Sequence, residues 1–269
     1  MTDSASSPVR SRSGGRAARR AARAAPLADH LRPVRAGMSG GTYHPLSDQD
    51  MQAIHNAALD ALEQIGLADA PPSGVEYLTR AGGILGDDGR IRFPRALVQK
   101  VLAQANRTIT LHGRDPKHDL ELCGTRVHYG TAGAAVHLVD AQTREYRDCT
   151  LQDLHDAARI AHELDNIHFV QRPMVARDVT DNLEMDLNTI YACCAGTTKH
   201  VGSSVFEPGF VPEVFDLVHL IAGSEAAWRE RPFMSASVCF VVPPMKFATE
   251  SCEVMEALIK GGMPVLLLS

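Results

Sequence analysis

From residue 167 to the last residue, one unit recurs: an apolar run long enough for a strand, an amphipathic segment with helix caps, then the next run. The runs open at Ile167, Lys199, Phe233 and Pro264, so the successive steps are 32, 34 and 31 residues. Strands alternating with helices at this spacing are joined by crossovers, which make neighbouring strands parallel. Four consecutive βα units amount to half of a (β/α)8 barrel of the TIM type. The fourth run, Pro264-Val265-Leu266-Leu267-Leu268-Ser269, is also the end of the sequence. A fragment of a longer protein is therefore expected, with 264–269 as a sticky uncovered edge.

Each unit carries its own punctuation. Thr150 with Asp153 opens a helix with Leu154, Ala157, Ala158, Ala161 and Leu164 on one face. Asp181 with Glu184 opens the next, striped by Leu183, Leu187, Ile190 and Tyr191, and Pro208 precedes one carrying Val214, Leu217, Val218 and Ile221. Gly223 and Gly261 stop the last two helices.

Before these units the pattern differs. Ser47 with Asp50 begins a helix whose stripe is Met51, Ile54, Ala58, Leu62 and Ile65, closed by Gly66. A short helix is expected over 75–81, a strand over 91–93, and a helix from Pro94 to about residue 105. Residues 108–148 then read as a β-rich insert, with strands at 109–111, 119–122, 127–129, 136–139 and near Tyr146. The expected organisation is a disordered basic tail (1–46), a helical and β-rich region (47–149) and the first half of a TIM barrel (150–269).

Charge is unevenly spread. Residues 1–40 hold eight arginines against two aspartates, a balance of +6 that leaves −11 for the rest of a chain whose net charge is −5. A transit peptide, a nucleic-acid arm and a plain tail all fit such a start, the plain tail best, so no nucleic-acid partner is expected. Apolar stretches fall far below the roughly 18–20 residues of a membrane span. The six cysteines form no C-x-x-C pair, which disfavours a disulfide scaffold or zinc ribbon and fits a cytoplasmic protein.

Several residues invite a chemical reading. His162-Glu163-Leu164-Asp165-Asn166 has Asn where a zinc protease needs its second histidine, and His155, His162 and His168 have poor ligand spacing, so no metal is expected. Gly130-Thr131-Ala132-Gly133-Ala134-Ala135 lacks the Lys-Ser/Thr of a phosphate loop and reads as a tight glycine turn with close packing. Cys193 and Cys194 read as buried small hydrophobes. The strand ends offer Gln171 and Arg172, then Ser203, Ser204, Phe206 and Glu207, then Cys239 and Phe240. Of these, Gln171, Arg172, Ser204, Phe206, Glu207, Cys239 and Phe240 are the candidate substrate-binding residues; no catalytic residue is assigned. Glu207 with Phe206 and Phe240 suits a quaternary or protonated amine by charge pairing and cation–π attraction, and Glu207 equally suits a helix cap.

Taken together, Gly113-Arg114-Asp115-Pro116, the 130–135 turn, Leu164-Asp165-Asn166-Ile167-His168-Phe169, Gly196-Thr197-Thr198-Lys199-His200-Val201, Cys239-Phe240-Val241-Val242-Pro243-Pro244 and the run 262–269 resemble the trimethylamine methyltransferase family, which includes pyrrolysine enzymes and relatives without that residue. The resemblance covers residues 47–269. It implies a (β/α)8 barrel, an anionic and aromatic-lined mouth, and transfer of a methyl group from a methylated tertiary or quaternary amine, trimethylamine- or betaine-like, to the cobalt of a corrinoid (cobalamin) carried by a separate protein. It implies no directly bound cofactor, a homo-oligomer at full length, and about twice this length, with any pyrrolysine in the other half. Two alternatives stand: a truncated non-catalytic homologue that binds a corrinoid protein or a full-length subunit, and a barrel enzyme with Cys239 as nucleophile.

Overall fold

The computed structural model describes residues 38–268. Residues 1–37, which hold most of the expected basic tail, and Ser269 lie outside the described residues.

The amino-terminal part is built of small local units. After β1 (Met38–Ser39), helix α1 (Asp48–Asp60) opens with the expected capping box: Ser47 Oγ accepts from the Asp50 N–H at 3.2 Å, and the Asp50 carboxylate accepts from the Ser47 N–H at 3.1 Å. A π turn (Ala61–Ile65) follows and ends at Gly66, whose φ of +70° and close approach to the Ile91 carbonyl exclude a side chain. Of the apolar stripe read on α1, Met51, Ile54 and Ile65 are exposed and Leu62 is half-buried against Leu67 and Phe247, while Leu59 is buried instead. Helix α2 (Pro72–Ala81) begins three residues earlier than the apolar pattern indicates, because Pro72 suits a first helical turn.

Then come the hairpin β2 (Ile84–Leu85) and β3 (Ile91–Arg92), helix α3 (Arg95–Gln104), and an antiparallel insert. In the insert β4 (Thr108–Leu111) pairs β5 (Leu120–Cys123), β6 (Arg126–Val127) pairs β1, and β7 (His137–Val139) pairs β8 (Tyr146–Asp148). The insert leads into α4 (Leu151–Glu163), again with a reciprocal capping box, between Thr150 and Asp153.

The repeat follows: β9 (Val170–Gln171), α5 (Asn182–Gly196), β10 (Val201–Ser203), α6 (Val211–Ala222), α7 (Glu225–Glu230), β11 (Met234–Cys239), the hairpin β12 (Val241–Val242) and β13 (Lys246–Phe247), α8 (Thr249–Lys260) and β14 (Val265–Leu268). Its main strands form one parallel sheet in the order β14-β11-β10-β9, so each of the four runs supplies one strand of a mixed α/β fold. Helix α7 and the β12–β13 hairpin are absent from the sequence reading, being too short to show a period.

Strand alternation sorts the two faces of the sheet. Met234, Ala236 and Val238 of β11 are buried in the main apolar cluster with Val201, Ile190 of α5, Val214 and Val218 of α6, and Val254 and Leu258 of α8. Ser235, Ser237 and Cys239 take the alternate positions and turn a polar row to the other face. Trp228 of α7 is fully buried; its indole N–H donates to the Gly261 carbonyl at 3.0 Å and its ring meets Phe233 edge-on.

A polar node ties the strands' amino-terminal side to the helices and the insert. The Lys199 ammonium, 1% exposed, donates to the carbonyls of Ala161 (2.8 Å), Leu164 (2.9 Å) and Ile167 (2.6 Å). Two of these acceptors lie at the end of α4, where helix carbonyls lack intrahelical partners and a cation is favoured by the helix dipole. Arg114 from the insert does the same for α5, bonding the carbonyls of Cys194 and Thr197. Burial drives the His200 pKa to about 4, so the ring is neutral: its Nδ1–H donates to the His112 carbonyl at 2.8 Å and its Nε2 accepts from Ser235 Oγ at 3.0 Å.

Replacing Lys199 by Met keeps the side-chain volume but leaves three carbonyls short of a donor. Lys199→Met is expected to lower unfolding free energy by about 3 kcal/mol in urea titrations. An unchanged midpoint would show that water or a neighbour replaces the ammonium without loss.

Candidate functional site

At the carboxyl ends of β9, β10, β11 and β14 lies a cavity of about 610 Å³. In open α/β sheets and barrels this is the side where ligands bind, because the strands end there and the connecting loops diverge. Gln171, Arg172, Ser203, Ser204 and Phe206 line it from the first two strand ends, Ser237 and Cys239 from β11, Ser251 and Val254 from α8, and Leu266 and Leu268 from β14.

The geometry of the floor rests on a glycine. Gln171 reaches across β10 so that its Nε2 donates to Ser237 Oγ on β11 at 3.1 Å. It can do so because Gly202 lies in between: a Cβ there would sit 1.8 Å from the Gln171 amide oxygen. The 130–135 turn forms another wall. A Cβ on Gly130 would lie 2.2 Å from the Phe169 ring, and Thr131 Oγ1 donates to the Gln171 carbonyl at 2.5 Å. The turn runs parallel to β9 through bridges from Gly130 to Phe169 and from Ala135 to Met174, and it brings Ala132, Gly133 and Ala134 to the cavity. This is close backbone packing at a sheet edge, not a phosphate cradle at a helix start.

Of the residues proposed from sequence, Gln171, Arg172, Ser204, Phe206 and Cys239 meet at this cavity; Glu207 and Phe240 do not. The backbone after Phe206 turns into a short 3-10 helix (Pro208–Phe210), where Glu207 takes the N-cap position with no side-chain capping hydrogen bond and stays exposed. The hairpin β12–β13 carries Phe240 away to a separate apolar cavity of about 460 Å³ between α2 and α8. The three-residue amine box of Phe206, Glu207 and Phe240 is therefore not assembled. Among the described residues that line the cavity, Arg172 is the charged one, a cation where the resemblance implied an anionic mouth.

Asp186 is the residue the sequence reading missed. It lies on the buried side of α5, in step with Ile190 and Cys193, and a carboxylate in that stripe was the available signal. It accepts from the Phe206 N–H at 2.8 Å and so fixes the loop that forms the cavity rim. Burial raises its pKa to about 6, against the Phe206 N–H and Arg172, which favour the charged form.

The other singled-out groups lie elsewhere. Cys193 and Cys194 are buried, and burial pushes both thiols up to about 12. His168 is buried and accepts from the Tyr129 N–H at 2.9 Å; His162 packs edge-on against His118; His155 lies near Asp156. Among the described residues no group of three or more histidine, cysteine or acidic side chains is placed to hold a metal ion. Nor is any of the described helices long and apolar enough to cross a membrane.

The arrangement defines an α/β protein with a ligand cavity at the carboxyl ends of a parallel sheet. Residues 12–269 match the family model described as trimethylamine methyltransferase (MTTB), and the chain belongs to that family. It is 29% identical over 224 residues to the trimethylamine methyltransferase MttB of Desulfitobacterium hafniense, covering 83% of this chain and 45% of that one. To the protein of the same name from Methanosarcina thermophila it is 25% identical, covering 86% of this chain and 49% of the relative. To the glycine betaine methyltransferase of Desulfitobacterium hafniense it is 22% identical, covering 84% and 47% respectively. The chain thus spans about half the length of the curated relatives it matches.

The raised pKa of Asp186 has a sign that can be tested. Between the ordinary value of 3.8 and about 6 the folded protein binds more protons than the unfolded chain, so stability falls as pH rises through that window and stays lower above it. Asp186→Asn keeps an oxygen for the Phe206 N–H and removes the buried charge. Thermal melts are expected to show a higher Tm than wild type at neutral pH and a smaller loss between the two pH values. A lower Tm at neutral pH would mean that the carboxylate is held by an interaction stronger than its burial.

Proposed function

We propose that this protein is a methyltransferase moving a methyl group from a methylated tertiary or quaternary amine, trimethylamine- or betaine-like, to the cobalt of a corrinoid held by a separate protein. The observation that carries the reading is the family match running through all four parallel strands whose carboxyl ends build the cavity. In this reading the four strands are part of a (β/α)8 barrel, residues 150–269 being its contribution and 47–149 a flanking region. The complete protein is a cytoplasmic homo-oligomer.

The corrinoid, when its own protein presents it, would supply a reduced cobalt as nucleophile toward a methyl group of a quaternary or N-protonated tertiary ammonium, the donor from which a neutral amine can depart. This chain's residues then bind and orient. Phe206, half exposed on the rim, presents a ring face suited to a methylated ammonium. Gln171 and Ser237, already bonded to each other, form a rigid polar floor, and Val205, Val254, Leu266 and Leu268 limit water. Cys239 is a wall residue here, with no base against its sulfur among the described residues and no role as nucleophile.

Mixing the protein with a reduced corrinoid protein and either trimethylamine or glycine betaine is expected to give donor-dependent conversion of the corrinoid's visible spectrum to the methyl form. Cys239→Ala is expected to retain the rate within about twofold, since no step uses the thiol. Loss of the rate in that variant with binding intact would favour a thiol mechanism. The same assay separates the second reading, a non-catalytic member that binds a corrinoid protein or a full-length subunit. Stable complex formation with no turnover on any methylamine would select it.

A further inference from the structure

The strand register divides the residues near the cavity between two faces of the sheet. Gln171, Gly202, Ser235 and Ser237 share one, where Gln171 and Ser237 make the floor. Val170 and Arg172, Val201 and Ser203, and Ala236 alternate with them and share the other, which Ala158 and Ala161 of α4 and Ile190 and Cys193 of α5 pack.

At the carboxyl end of this apolar layer the packing turns polar. Asp186 of α5 is 2% exposed, and Thr189 and Ser203 each bury a hydroxyl that has no hydrogen-bond partner. The charged groups facing Asp186 are Arg172 from β9, which favours its ionisation, and Glu207 from the rim loop, which opposes it. Such a cluster costs stability against an apolar one of the same shape, so folding alone does not account for it. The hydrogen bond that Asp186 does make leads out of the core, to the N–H of Phe206 at 2.8 Å. Phe206 in turn stands half exposed on the cavity rim. A buried carboxyl group is thus placed directly behind the aromatic face suited to an ammonium, while the described residues that line the cavity include no acidic one.

We propose that Asp186 is a positioning residue for the methylated amine: its carboxylate fixes Phe206 on the rim and supplies, from behind the ring, the negative charge that favours a cation there. This rests on the methylamine reading above and links it to a proton. A cation beside Phe206 favours the charged carboxylate, so by reciprocity its binding strengthens as Asp186 ionises through about pH 6. Stability runs the other way over the same window, because in the empty protein the buried charge is a cost.

Calorimetric titration with choline and with neohexyl alcohol, its uncharged carbon isostere, tests this on either side of about pH 6, with thermal melts alongside. The proteins compared are wild type, Asp186→Asn, Phe206→Leu and the double variant. Wild type is expected to prefer choline, and to bind it about tenfold more tightly above that pH than below, while the alcohol shows no such step. Asp186→Asn is expected to lose the step and to bind choline about tenfold more weakly at neutral pH while melting higher than wild type, a split that a merely structural residue does not give. In the Phe206→Leu background the same change is expected to cost choline less, since the carboxylate acts largely through the ring. A choline preference and pH step that Asp186→Asn leaves intact would overturn the positioning role and leave the methylamine reading standing. A lower Tm in that variant with both compounds weakened alike would also overturn it, making Asp186 a residue of the fold alone. Equal binding of the two compounds by wild type at neutral pH would overturn the methylamine reading and the role of Asp186 with it.

Discussion

A single ammonium group organises the amino-terminal side of the sheet. Lys199 sits in the loop between α5 and β10, and its three acceptors come from the end of α4 and the segment leading to β9. One side chain therefore joins two successive βα units at the point where apolar packing has least to offer. Helix ends expose carbonyls that no apolar residue can satisfy. Arg114 repeats the device one helix later, and neutral His200 links the same loop to His112 and Ser235. These anchors act on one side of the sheet, and the opposite ends of the strands open into the cavity.

The cavity inherits its chemistry from strand alternation. Along β11 every second residue faces the helices and is apolar, so Ser235, Ser237 and Cys239 fall on the other face without further instruction. Gly202 gives up a side chain so that Gln171 can cross to Ser237, exchanging local packing for a fixed polar floor. Asp186 is the more expensive element. A carboxyl group held under the rim at a raised pKa contributes little to folding, and carboxyls of this kind concentrate at functional sites.

Much of this was legible in the chain. The spacing of the runs from Ile167, Lys199, Phe233 and Pro264 predicts the parallel sheet because crossover helices have a nearly fixed length, and the capping boxes at Ser47 and Thr150 are local enough to read directly. The α1 stripe was not, since periodicity says which residues share a face and not whether anything covers it. Gln171, Arg172, Ser204, Phe206 and Cys239 were reachable because position at a strand end is set by topology. Glu207 and Phe240, one residue beyond, were not, because the turn into the 3-10 helix and the β12–β13 hairpin redirect the chain within a single residue. Asp186 and Lys199 escaped for a related reason: a charged side chain in an apolar pattern looks like an interruption until its partners, 20 to 38 residues away, are in view.

The central claim is that the strand-end cavity, and not the apolar cavity beneath Phe240, receives a methylated amine. A crystal structure of the protein grown with trimethylglycine tests it most directly. The account predicts density for the ligand beside Phe206, above the Gln171–Ser237 floor. Density against Phe240, Phe247 and Tyr77, with the strand-end cavity holding only water, would contradict it.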